Sequence, residues 1–250
     1  MPEALAAAIA LPGLWLALTA TFVAGIVYGF AGFGSALIAV PLYAALAGPE
    51  TAVGLMAVTA LASVVSVLPQ AIRQADRRAA LTILVPSLLC LPLGARVLTL
   101  ADPVAIRWAM SLTVLGTLAA LMAGLRYRGR AGPPAWIGVG ALSGLMGGAT
   151  GLAGPALVLF QLAGPDGAAR MRANAILVLT PSSLALVPVL WWQGAIGPGE
   201  IGTGLLLAPI YGLTSWLGQR LFGEGREAIY RRVAYGIIAA AGLAGLPLFG

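Results

Sequence analysis

The stretch GFAGFGSALIAVP, Gly29 to Pro41, places glycines in the middle of an apolar run, where a membrane helix would be expected to continue unbroken. A second stretch, GGATGLAGPALVLF, Gly147 to Phe160, does the same in the other half of the chain. Glycine weakens a helix interior and admits left-handed backbone. Each stretch therefore predicts a helix that stops within an apolar segment and a second helix that starts there.

The composition sets the solvent. Of 250 residues, 60% are hydrophobic and 9% charged, against about 25% charged in a soluble domain. This is the composition of an integral membrane protein. All 14 basic residues are arginine, and histidine is absent. The net charge of +6 does not point to nucleic acid, because the arginines sit in short loops between apolar runs, as the positive-inside rule requires. Cys90 alone supports neither an internal disulfide nor a thiolate metal cluster. The N-terminus lacks a basic n-region, so no cleaved signal peptide is expected.

Six runs read as simple spans: Ala52 to Ile72, Ala80 to Leu98, Val104 to Leu125, Ala173 to Trp192, Ile201 to Leu217 and Ala228 to Leu248. Two longer segments, Leu11 to Leu46 and Ala135 to Leu162, carry the glycine breaks. Arginine placement orients them. Arg73, Arg77 and Arg78, then Arg126, Arg128 and Arg130, then Arg170 and Arg172, then Arg220 and Arg226 mark cytoplasmic loops. The second broken segment leaves from one such loop and arrives at another, so it must go in and come back. The expectation is an all-α integral membrane fold of two inverted-topology repeats, each a broken or re-entrant helix hairpin plus three transmembrane helices. Residues 1–125 form the first repeat, 126–132 a cytoplasmic linker and 133–250 the second. Both termini lie outside, in a multi-pass protein of the cell (inner) membrane.

Internal repetition agrees. LAGPE (Leu46 to Glu50) recurs as LAGPD (Leu162 to Asp166). GAR ending at Arg96 is followed by Arg107, and GQR ending at Arg220 by Arg231, with the same spacing. Inverted repeats with discontinuous helices typify secondary transporters.

A helix that starts inside the bilayer leaves its first backbone N–H groups without partners and carries about half a positive charge there. An anion meets both demands. Ser35 stands where an N-cap would, and Pro155 follows Gly154 as an N1 proline follows its cap. The candidate binding residues are thus Gly32, Phe33, Gly34, Ser35 and Ala36 at the first break. Gly151, Leu152, Ala153, Gly154 and Pro155 are their counterparts at the second. Thr59, Ser63 and Ser66 share one helix face and, with Asn174, Thr180, Ser182 and Ser183 of the corresponding helix, could complete the site. Of these, Thr59, Ser63, Asn174, Thr180 and Ser183 are taken as ligand candidates. Gly25, Gly29, Gly140, Gly144 and Gly148 read instead as small-residue packing surfaces. The acidic residues, Glu3, Glu50, Asp76, Asp102, Asp166, Glu200, Glu224 and Glu227, all fall in loops or at helix ends. No buried proton relay is offered, and an intramembrane enzyme lacks its base and ligands.

The ordered set GFGSALIAVPL from Gly32, AVGLMAVTALASVV from Ala52, GARVL from Gly94, GLAGPALVLF from Gly151 and GQRLF from Gly218 resembles the TauE/SafE (sulfite exporter-like) membrane proteins over almost the whole chain. The resemblance implies transport of small sulfur-containing anions, sulfite or organosulfonates, usually outward. It also implies a small anionic substrate and the lipid bilayer as partners, with no cofactor, metal or nucleic acid. This chain departs from the family pattern at Ser35-Ala36, Ala153 and Pro155, where glycines are frequent. A homodimer, uptake of other small organic anions and a non-transporting scaffold role are left open by the sequence.

Overall fold

The computed structural model describes residues 13–124, 132–161, 168–221 and 227–248. Among them the chain is helical, with no strand. In the first half, α1 (Leu14–Ala31) stops at Gly32 and α2 (Ser35–Ala47) starts after Gly34. There follow α3 (Pro49–Thr59), a 3-10 turn (Ala60–Ala62), α4 (Ser63–Ser66), α5 (Leu68–Gln74), α6 (Arg77–Leu100) and α7 (Pro103–Met122). In the second half, α8 (Pro133–Thr150) stops at Gly151 and α9 (Gly154–Gln161) starts three residues later, followed by α10 (Ala168–Trp192), α11 (Pro198–Leu221) and α12 (Glu227–Ala244). The LAGPD repeat and Arg126, Arg128, Arg130 and Arg226 lie outside the described residues.

Local chemistry explains the helix starts. Asp76 accepts from the N–H groups of Arg78 and Ala79, and Asp102 accepts from that of Ala105. These are N-caps. Pro103 follows its cap where a missing N–H costs nothing. Glu200 accepts from the N–H of Gly197 at the start of α11. Asp76, Asp102 and Glu200 therefore serve helix ends, as their positions in the sequence suggest.

Six stretches are long and apolar enough to cross a bilayer: Leu14–Ala31, Pro49–Ser66, Arg77–Leu100, Pro103–Met122, Ala169–Trp192 and Pro198–Leu221. The expected span Ala52 to Ile72 is not one straight helix. It passes through the 3-10 turn and bends at Val67, where φ is −126°. Pro69 has no N–H to give the carbonyl of Val65, and its ring crowds the preceding turn. Ser63 Oγ also draws in the carbonyl of Ala60 at 2.6 Å, a back-bond that bends helices. Pro181, by contrast, leaves α10 unbroken.

The first broken segment doubles back. A Cβ on Gly13, just before α1, would lie 2.8 Å from Leu46 near the end of α2. Midway along, Thr21 Oγ1 is 2.7 Å from Tyr43 Oη. In the second segment, Ser143 of α8 reaches the carbonyl of Ala153.

The closest packing runs between the halves. A methyl group on Gly25 or Gly29 of α1 would meet the carbonyls of Tyr211 or Ser215 of α11, and one on Gly218 would overlap that of Ile26. On the other pair, methyls on Gly144 or Gly148 of α8 would overlap the carbonyls of Ser87 or Leu91 of α6, and one on Gly94 that of Leu145. Gly140 is similarly closed by Ile83. These glycines pack backbone against backbone, as their small-residue spacing suggests.

Two substitutions separate packing from mere helix propensity. Gly148→Leu drives a side chain into the backbone of α6 and is expected to destabilise by about 3 kcal/mol or more. Gly116→Ala, with nothing within 4 Å, should leave the melting temperature unchanged or slightly raised. Melting curves of the detergent-purified variants check both.

Candidate functional site: two facing helix breaks

Each break is made by left-handed glycine. Gly32 (φ 80°) ends α1 with its N–H on the carbonyl of Tyr28 at 2.7 Å, and Gly34 (φ 94°) precedes α2. Gly151 (φ 72°) ends α8 with its N–H on the carbonyl of Gly147 at 2.9 Å. A side chain at such φ is strained, so the stops are encoded where a branched residue could not make them. Ser143 Oγ donates to the carbonyl of Ala153 at 2.6 Å, satisfying one backbone group freed by the second break.

The capping expected from sequence is corrected. Ser35 is the first helical residue of α2, and the cap position is Gly34, with no side-chain bond. A capping oxygen must come from the residue before the first turn, and glycine has none to give. Pro155 is likewise the second residue of α9 rather than the first. Among the described residues, no side chain and no backbone carbonyl outside the helix accepts from the N–H groups of Phe33, Gly34, Ser35 or Ala36.

The two breaks come together. A Cβ on Gly154 would lie 3.9 Å from that of Phe33 and 3.9 Å from Leu179 Cδ1. One on Gly151 would meet Val40 of α2 at 3.3 Å and Val53 of α3 at 3.5 Å. Leu152 between them is fully buried, and Ser35, Gly32, Gly34 and Pro155 are buried as well. Ala36 and Ala153 are half-buried beside them.

Polar side chains gather on the side of the first break. Tyr28 Oη is 2.9 Å from Thr180 Oγ1, which is 3.1 Å from Ser63 Oγ. The ring of Tyr28 stands 5.9 Å from that of Tyr211 on α11, tilted by 36°. Of the other residues singled out from sequence, Thr59 Oγ1 reaches the carbonyl of Gly204 at 3.4 Å, and Ser66 pairs with Ser215 at 2.9 Å. Ser182 pairs with Ser87 at 3.4 Å, while Ser183 is half-buried. Asn174 goes elsewhere. Its Oδ1 accepts from the N–H of Asp76 at 2.8 Å, tying α10 to the start of α6 at about 9 Å along the helix from Thr180.

Three residues were missed as site candidates. Arg172, counted in the sequence as a loop charge, lies within α10 and is buried at 6% exposure. Its Nε donates to the carbonyl of Gly29 at 2.9 Å, and Nη2 donates to the same oxygen. Gly32 is closed over it: a Cβ there would sit 2.7 Å from Arg172 Cγ. Counting charges between spans cannot separate a headgroup arginine from one folded under a helix end. Tyr28 and Tyr211 were not singled out. For Tyr28, a hydroxyl within an apolar run one turn before a glycine break was the available signal; Tyr211, inside the unbroken α11, carried none.

The family profile described as Sulfite exporter TauE/SafE matches residues 17–245, and so spans both breaks. Among curated proteins, the chain is 26% identical over 220 residues to one named Probable sulfite/organosulfonate exporter TauE, from Cupriavidus necator, with 86% of each chain covered. No solved structure matches the chain. The family is one of membrane transporters, and the apolar helices make this protein a multi-pass member of it. The resemblance read from the glycine motifs is thereby borne out: the chain belongs to the sulfite exporter TauE/SafE family.

Proposed function

We propose that this protein is a secondary transporter that exports small anions of the sulfite and organosulfonate class, bound near the membrane midplane between its two helix breaks. The observation that carries this reading is the meeting of the breaks at Phe33 and Gly154, with the first-turn amides of α2 unaccepted. Helix starts of this kind attract anions through free N–H groups and the macrodipole together. Arg172 adds a full positive charge next to the first break. Its side chain is buried, at 6% exposure. The curated relative is named for the same class of substrate.

On this reading, backbone groups at Gly32, Phe33, Gly34, Ser35 and Ala36 and at Gly151, Leu152, Ala153, Gly154 and Pro155 face the anion from two sides. Thr59, Ser63, Thr180 and Ser183 form the polar row beside them, and Asn174 acts as a brace for α6. The architecture is a pair of inverted repeats, residues 1–125 and 133–250, joined by a cytoplasmic linker at 126–132, with both termini outside the inner membrane. The matched glycine contacts support it. Gly25, Gly29 and Gly218 meet Tyr211, Ser215 and Ile26 in the order in which Gly144, Gly148 and Gly94 meet Ser87, Leu91 and Leu145.

An inside-negative potential drives an anion outward by about 2.3 kcal/mol per charge per 100 mV. Efflux of sulfite from proteoliposomes should therefore follow an imposed potential. Flux that ignored the potential and followed only the pH gradient would overturn potential-driven export. Gly34→Leu should abolish flux with folding intact, and unchanged flux would discard the break as the binding site. Arg172→Gln should weaken sulfite binding roughly tenfold or more, because a charge-assisted hydrogen bond contributes about 1.5–3 kcal/mol. Arg172→Lys, which keeps the charge but not the planar fork, should retain part of the affinity. Calorimetric titration of the purified variants measures the difference.

A further inference from the structure

Tyr211 is 1% exposed, and its hydroxyl is buried without a hydrogen-bond partner. The Ser35 side chain, at the start of α2, faces it without reaching hydrogen-bond geometry. A buried hydroxyl with nothing to bond is costly and rare in native interiors. Its neighbours are already committed. Tyr28 Oη is bonded to Thr180, and Thr180 to Ser63. Tyr43 Oη, buried at 1% exposure, is bonded to Thr21. The other buried hydroxyl left open among the described residues, Ser111 Oγ, lies against Gly245 beside Pro41, in the body of α2 and not at its start.

Among the described residues, no open buried hydroxyl lies at the second break. The residue of α6 whose carbonyl meets Gly144, as that of Tyr211 meets Gly25, is Ser87. The Ser87 hydroxyl is paired with Ser182. An open phenol, unaccepted first-turn amides and a buried arginine thus coincide at the first break only.

We infer that Tyr211 is a substrate-binding residue whose hydroxyl donates to an oxygen of the anion seated at the start of α2, so that the anion lies closer to the first break than to the second. This rests on the export reading above. It also narrows the ligand to an oxyanion with several acceptor oxygens: one oxygen takes the Tyr211 proton while others face the amides of Ser35 and Ala36. A sulfite or sulfonate head has the three oxygens this requires.

Tyr211→Phe removes one oxygen and keeps the ring. The test compares wild type, Tyr211→Phe and Tyr43→Phe as full-length protein in detergent, titrated with sulfite and with methanesulfonate and melted with and without each. Tyr211→Phe should bind both roughly 10- to 100-fold more weakly, the range for a hydrogen bond to a charged group. Without ligand it should melt no lower than wild type, because no internal bond is lost. Tyr43→Phe should bind as wild type does. Wild-type affinity in Tyr211→Phe would overturn the assignment. So would a Tyr211→Phe protein that fails to fold or melts well below wild type without ligand, since the hydroxyl would then be structural. If wild type itself bound neither probe, the export reading would fall and this assignment with it. Binding by wild type with no loss in Tyr211→Phe would sink the assignment alone.

Discussion

A peptide N–H in hydrocarbon has no water to turn to, and this constraint organises the molecule. Unsatisfied backbone groups at that depth cost several kcal/mol each, so a helix that stops inside a bilayer must find partners for its ends. At the carbonyl end of α1, Arg172 supplies them by donating twice to Gly29. At the second break, Ser143 does so for Ala153. The amide end of α2 has no protein partner of this kind among the described residues. The two ends of one interruption are thus treated differently: a carbonyl near the end of α1 is covered by Arg172, and the first amides of α2 have no acceptor among the described residues.

What holds that meeting point in place is backbone contact between the halves. α1 lies against α11 and α6 against α8, with glycines where carbonyls of the partner helix pass. Without a hydrophobic driving force between helices in lipid, such close approach and the dispersion it allows are the main source of association. Each half therefore lends its broken helix to the other half's long one. A motion that separated one sequence half from the other would have to part these backbones.

The breaks were legible because glycine in an apolar run has few uses: Gly32, Gly34 and Gly151 all take left-handed backbone. The packing glycines were legible from their spacing of four. Other features were not. The bend in the span from Ala52 needed both Pro69 and the Ser63 back-bond. Ser35 looked like a cap from its position, but the turn is completed one residue earlier by Gly34. Asn174 looked like part of a mid-helix polar row, yet it serves Asp76, which is distant in sequence.

The sequence by itself determined the solvent of this protein, the places where its helices stop and the family to which it belongs, because hydropathy, glycine conformation and motif order are local properties of a chain. Tertiary structure alone decided which polar groups share the first break. Tyr28 lies more than a hundred positions before Arg172, Thr180 and Tyr211, which come from two further helices, and no local rule links them. Their juxtaposition follows from how closely α1 packs on α11, a distance set by side chains that are missing at glycine rather than by any that are present.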